Sequence, residues 1–428
     1  VAPSHISALM SGVMLKVALY GFLRVVLDLI GMLYWGWGVA LLLVGGATAL
    51  YGVVLALQQR DLKRLLAWSS MENLGIVFLA LGLSLLFASQ GLMTLAGLAL
   101  VAALYHALNH ALFKGLLFMA AGAVLFRTHE RDLDRLGGLM RRMPWTGWMF
   151  LVGAASISAL PPLNGFVSEW LVFQSALQAP AVGNGILSTL IVVSAAVLAL
   201  TGALAAAVFV GAMGTGFLGQ PRSRPARRAR EVDLSMRLGM LLPALGCVLL
   251  GVLPVPVVRL LSALPQALYG AAPEEATRQG WLWLTPVSPQ VASYAAPLVL
   301  AGLVLVWLLV RAVPAVTRAR TRRDAPWDCG FGPLSPRMQY TASAYAMPAR
   351  RLFTPVLGVQ EQFSPHPHGG KYVLQVSDRS WSALYEPVAR RVQWLARRLG
   401  FLQSGSIRVY LGYSFLTLLV LLWLVSLS

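Results

Sequence analysis

His106, His110 and Lys114 stand four residues apart each time in "YHALNHALFKG" (105–115), within sequence otherwise suited to hydrocarbon. No Asp, Glu, Lys or Arg occurs from Asn73 to Phe113, and none from Gly115 to Phe126. Steps of four place the three side chains on one stripe of a helix, each about 6 Å further along, so that the row covers about 12 Å. Histidine gives and accepts a proton near neutral pH. A lysine held out of water releases its proton when a neighbouring charge changes. Together, with a few waters, such groups make a proton relay. The competing reading is that each histidine is a satisfied core residue and Lys114 snorkels to an interface. It suits a lone histidine better than three groups on one stripe.

Three more ionisable residues fall in apolar stretches, where charge is costly and marks an ion path. Lys16 lies near the middle of "HISALMSGVMLKVALYGFL", too deep for its stem to reach water easily. Glu169 follows "SALPPLNGFVSEW", where two prolines and a glycine within five residues predict a break at Pro161–Gly165 in a helix long enough to span. Interrupted helices expose backbone groups and helix ends to ions. The alternative is a turn between two short helices with Glu169 at an interface. Glu72, in "WSSMENLG", sits two turns into its helix, and the sequence leaves open whether it is an interfacial acid or part of the path.

The elements that must hold these residues are membrane helices. The chain has 428 residues, 57% of them hydrophobic and 12% charged, with a mean hydropathy of +0.70. About 20 apolar residues span a bilayer, and such runs predict helices near 5–27, 36–57, 66–87, 92–125, 146–177, 186–214, 238–258, 292–311 and 409–427. The fold class is therefore all-α, a polytopic transmembrane bundle of about nine spans. The fourth and fifth runs are too long for one perpendicular crossing and are expected to be tilted or broken. The opening "VAPSHISALMSG" starts in mid-pattern, without initiator Met or signal features, and reads as the continuation of a longer chain.

The net charge of +18 is a topology signal rather than a nucleic-acid footprint. Of the 34 Lys and Arg, three lie in 58–65, five in 126–145, six in 219–237 and fifteen in 311–408. These are alternate connections, so the positive-inside rule puts them in the cytoplasm and the C-terminus outside. Cys247 falls in a span and Cys329 in a basic connection, and the two are not expected to pair. No metal-site spacing occurs: "HPHGG" (His366, His368) has no Cys or carboxylate beside it and reads as a loop. No cofactor motif is present.

Four segments, "APSHISALMSGVMLKVALYG", "RDLKRLLAWSSMENLG", "HALNHALFKGLLFMAAGAV" and "LPPLNGFVSEW", resemble, in order, the motifs of the antiporter-like proton-conducting membrane subunits. That family includes complex I membrane-arm subunits, Mrp-type antiporter subunits and the subunits of hydrogenase-4 and formate hydrogenlyase complexes. The resemblance covers about 1–260. It implies two inverted five-helix repeats, each with a broken helix: 1–35 would be the last helix of the first repeat, and 36–214 the complete second one. Lys16 would match the central bridging lysine, and His106, His110 and Lys114 the relay on the long helix. Glu169 would match the terminal charged residue near the outward half-channel. The Glu–Lys pair that drives the first repeat is not in this sequence, and the resemblance implies that these residues alone do not conduct protons.

Residues 215–312 add further spans, 313–408 form a basic connection, and 409–428 a last span. In the connection, "PWDCGFGPLSPRMQYTASAYAMP" is similar to the hydrogenase-4 and formate hydrogenlyase branch of the family, as is "MEN" at 71–73, and "PVARRVQWLARRL" reads as amphipathic on an anionic leaflet. The implied role is a non-catalytic, H⁺-moving subunit in a bacterial inner membrane, with Na⁺ as the other ion considered. Its implied partners are other membrane subunits and cytoplasmic [NiFe]-hydrogenase and Fe–S subunits. The alternatives are an Mrp-type Na⁺/H⁺ antiporter or complex I subunit, and a scaffold whose buried charges hold helices together.

Overall fold

Helix α1 (Ser4–Leu29) opens a computed structural model that describes residues 2–31, 34–317, 324, 327–366, 369–403 and 405–427. It is followed by α2 (Trp35–Leu57), α3 (Leu62–Ser89), α4 (Met93–Thr128), α5 (Pro144–Ile157), α6 (Asn164–Ala176), α7 (Gly185–Gly216), α8 (Leu234–Val252) and α9 (Ala296–Val316). Eight helices among the described residues are long and apolar enough to cross a membrane. The remaining predicted span, 146–177, is present as the two short helices α5 and α6.

Sequence dictates where these helices start. Asp61 caps α3 by accepting from Lys63 N at 2.9 Å and Arg64 N at 3.1 Å, and Asn184 caps α7 in the same way. At α5, Glu231 acts from a distance, accepting from Trp145 N at 2.8 Å and from the Thr146 hydroxyl at 2.6 Å. A carboxylate there also suits the positive end of the helix dipole.

The packing centre is the α2–α3 pair. Gly38, Gly45 and Gly52 recur every seven residues along α2. A Cβ on Gly38 would lie 2.7 Å from Leu86 N, on Gly45 2.5 Å from Leu79 N, and on Gly52 2.7 Å from Glu72 N. From the other side, a Cβ on Gly82 would lie 2.6 Å from Leu42 N. The backbones touch along the whole stripe, the close approach that small residues allow where apolar lipid provides no hydrophobic drive. Leu66, Leu79, Ala80, Leu83 and Phe87 are buried behind it.

The fourth predicted helix, expected to tilt or break, runs unbroken over 36 residues as α4, about 54 Å at 1.5 Å per residue. The fifth breaks. Its gap is 158–163, so it opens earlier than the expected Pro161–Gly165, and Gly165 already lies in α6. Within the gap Leu160 N bonds to Ala155 O at 3.1 Å and Leu163 N to Leu160 O at 3.0 Å. A Cβ on Gly165 would run into the Ser156 carbonyl, so glycine lets the start of α6 lie against the end of α5. The span expected at 238–258 also divides, because Leu253 leaves helical geometry just before Pro254 and a short helix Pro254–Leu261 follows.

Part of the basic connection is latched to the bundle. The Gln339 side chain accepts from Gln220 N at 2.7 Å and donates to Gln220 O at 3.2 Å. Arg222 donates to Thr215 O at 2.7 Å and Tyr340 O at 2.8 Å. Ser343 donates to Asp134, and Arg350 to Gln58 at 3.2 Å and Ser343 O at 3.0 Å. "MQYTAS" is thus a structural clasp. Residues 353–428 form a separate unit, with an antiparallel pair β1 (Gly358–His366) and β2 (Gly369–Ser377), then α10 (Glu386–Leu399) and α11 (Ile407–Leu427). The all-α expectation does not include this hairpin. His366 ends β1 rather than sitting in a loop, and His368 lies outside the described residues.

Candidate proton-relay site

The stripe of α4 points into the protein: His106 and Lys114 are wholly buried and His110 is 1% exposed. Each group meets a different helix. Lys16 of α1 hydrogen-bonds His110 Nδ1 and donates to its own Ser11 carbonyl at 2.8 Å. This meeting has a local cause. Met10–Met14 forms a π-helical turn in α1, and a Cβ on Gly12 would lie 3.3 Å from the Ala111 carbonyl of α4. The wide turn and the missing side chain bring α1 against the stripe, as π-turns commonly do at functional sites.

Lys114 reaches α3. Its Nζ donates to Leu66 O at 3.0 Å and to the Ser69 hydroxyl, and lies 5.9 Å from the Phe209 ring centroid. Ser70 donates to the same Leu66 carbonyl at 2.9 Å and shares a 2.7 Å bond with Ser11. His106 reaches α6, its Nδ1 lying 3.0 Å from Ser168 Oγ. Among the described residues Nε2 of His106 and Nε2 of His110 have no protein partner, so each can take or give a proton without first breaking a hydrogen bond to them.

Glu72 is 1% exposed, packed inside the bundle. Its Oε2 has no hydrogen-bond partner and no ion pair joins it to Lys114 among the described residues. Glu169, 6% exposed, faces α7 where Gly202 lacks a side chain: a Cβ there would be 3.5 Å from Oε2. No hydrogen bond ties Glu169 side-chain oxygens to the row among the described residues. The six residues therefore form a directly bonded centre, Lys16–His110, with Lys114 and His106 on either side along the stripe and two carboxylates set apart.

The polar neighbours Ser11, Ser69, Ser70, Asn109 and Ser168 were not singled out from sequence. Asn109 carried a signal, since it lies three residues after His106 on the same face. The serines carried none, because serine in a span is commonly satisfied by its own helix.

The profile described as NADH:quinone oxidoreductase/Mrp antiporter, transmembrane, matches residues 1–199. Hydrogenase-4 component B of Escherichia coli (strain K12) is 38% identical over 98% of this chain. Protein Rv0083 of Mycobacterium tuberculosis (strain ATCC 25618 / H37Rv) is 42% identical over 98% of this chain, which spans 67% of it. The chain belongs to the NADH:quinone oxidoreductase/Mrp antiporter transmembrane family. Formate hydrogenlyase subunit 3 of Escherichia coli (strain K12) is 36% identical over 85% of the chain. The chain spans 64% of hydrogenase-4 component B and 57% of formate hydrogenlyase subunit 3. The fold is also that of a chain in the membrane-bound sulfane sulfur reductase, an archaeal respiratory membrane complex. There the TM-score is 0.67 at 23% identity, covering 97% of this chain and 62% of that one. Membership makes this a multi-span membrane protein.

Proposed function

We propose that the chain is part of a proton-translocating membrane subunit of a hydrogenase-4/formate hydrogenlyase-type complex, moving H⁺ while partner subunits carry out redox chemistry. The observation that carries this reading is the bond between Lys16 and His110, which joins α1 to a buried row of proton carriers on α4. A scaffold needs its buried polar and charged groups paired, but among the described residues Nε2 of both histidines and one oxygen of Glu72 have no hydrogen-bond partner.

The basic loops face the cytoplasm in this reading, and the last span ends outside. A cavity of about 410 Å³ lies between α1 and α3, with Asp61, Lys63 and Arg64 at its loop end and Ser11 and Ser70 deeper. It is the entry for protons from the basic side. Lys16 takes the charge, the two histidines pass it along the stripe, and Lys114 responds to Glu72. Glu169, on the second half of the broken helix, exchanges with the outward side. Residues 36–214 work as one antiporter-like repeat. In this reading the electron carriers belong to other subunits: [NiFe]-hydrogenase and Fe–S proteins on the cytoplasmic face, with further membrane subunits alongside.

A second reading, an Mrp-type Na⁺/H⁺ antiporter subunit, draws on the family match that ends at residue 199. The similarity to hydrogenase-4 component B, which extends over the clasp at 336–350, favours the first. Proteoliposomes of the assembled complex separate them: proton uptake that needs a reducing substrate supports the first, and Na⁺-driven exchange without one supports the second. In the same assay, Glu169→Gln should lower proton uptake by about a hundredfold, the lower end for one lost acid–base group. Assembly should persist, because this carboxylate has no ion pair to lose among the described residues. Unchanged uptake would remove Glu169 from the path.

A further inference from the structure

Ser168 Oγ is the meeting point of four groups, all buried. Asn109 Nδ2 lies 3.1 Å away and His106 Nδ1 3.0 Å away. The carbonyls of Gly165 and Asn164, at the start of α6, lie at 3.2 and 3.4 Å. Asn109 is itself anchored, donating to Asn164 O at 2.8 Å. His106, Asn109 and Ser168 are each wholly buried.

A hydroxyl has one proton to donate and two lone pairs to fill. The Asn109 amide fills one lone pair. Two arrangements remain. If Ser168 donates to Nδ1, its second lone pair stays empty, and His106 carries its proton on Nε2, a buried donor with no protein partner among the described residues. If His106 carries the proton on Nδ1, it fills the second lone pair and the Ser168 proton goes to the Gly165 carbonyl. The second arrangement completes all three bonds at the hydroxyl and leaves a lone pair, rather than an N–H, without a partner. Orphaned buried N–H groups are the rarer defect.

We propose that Asn109 and Ser168 are positioning residues that hold His106 as its Nδ1–H tautomer and so reserve Nε2 for proton exchange. This rests on the relay reading above. The Nε2 lone pair takes a proton from the row, and the resulting imidazolium returns it from the same nitrogen. Ser168 keeps the same three bonds in both charge states, so no hydroxyl rotation accompanies transfer. The charged and titratable neighbours along the row are His110, four residues further on α4, and Lys16 of α1, which hydrogen-bonds His110 Nδ1, and Glu169 sits one residue beyond Ser168. The tautomer is therefore set from α6, the helix half that carries Glu169.

Solid-state ¹⁵N NMR of the full-length complex labelled in histidine, with His106→Gln to assign the signal, reads the tautomer directly. The wild type should show His106 protonated at Nδ1, and an Nε2–H signal for it would overturn the proposal without any positioning variant. Ser168→Ala should shift the signal toward Nε2–H and lower proton uptake at least about tenfold. Ser168→Thr, which keeps the hydroxyl, should recover most of both. Lys114→Ala is the reference. Normal uptake by assembled Ser168→Ala beside lost uptake in Lys114→Ala overturns the positioning role alone. Normal uptake in both refutes the relay on which it rests.

Discussion

Lys114→Ala in the full-length protein should cut proton uptake by about a hundredfold or more, the lower bound for removing a positioned acid–base group, while the complex still assembles. The side chain is wholly buried and gives its protons to Leu66 O and Ser69 Oγ. Neither acceptor is orphaned when it goes. Leu66 O still receives Ser70 at 2.9 Å, and Ser69 still bonds Leu66 O at 3.2 Å. What remains is a cavity, costing about 2–5 kcal/mol. Lys114→Met fills that space without the charge and should assemble at least as well, yet transport no better. Uptake in proteoliposomes, beside native-gel assembly and activity with an artificial electron donor, checks all of this. Normal uptake by an assembled Lys114→Ala complex ends the relay. Failed assembly of both variants makes Lys114 a structural charge instead.

Gly75→Ala should lower stability by about 3 kcal/mol or more, from overpacking a helix contact that cannot spread. Its Cβ would enter the Ala49 amide and the Gly45 carbonyl of α2, and backbone on both sides leaves no flexible side chain to give way. Gly115→Ala is the matched control. It is also a glycine inside a long helix, but a Cβ there meets nothing within 4 Å, so it should be neutral or gain up to about 1 kcal/mol of helix propensity. Apparent Tm in detergent and the yield of assembled protein measure the pair. Equal behaviour of the two would show that the α2–α3 contact does not limit stability.

Much of this protein was legible in its residues because a bilayer restricts what a chain can do. Backbone polar groups must be satisfied within a helix, and charge must be hidden, so apolar runs located α1–α4 and their ionisable exceptions located Lys16, Glu72, His106, His110, Lys114 and Glu169. The proline pair announced the break between α5 and α6 for the same reason, a missing backbone donor. Periodicity also put the histidines and Lys114 on one stripe.

What the stripe touches was decided only in three dimensions. Nothing in the order of residues says that a π-turn and Gly12 would carry Lys16 to His110, nor that Ser69 rather than a carboxylate would accept the Lys114 hydrogen bond. Those partners lie 94 and 45 positions away along the chain. Serine and asparagine are too common in spans, and too easily satisfied by their own helix, to reveal a partner on another one. The clasp at Gln339–Arg350 and the β1–β2 hairpin escaped for a related reason. Outside hydrocarbon, water satisfies a backbone in many conformations, so local sequence constrains less and side-chain bonds to distant loops choose the structure.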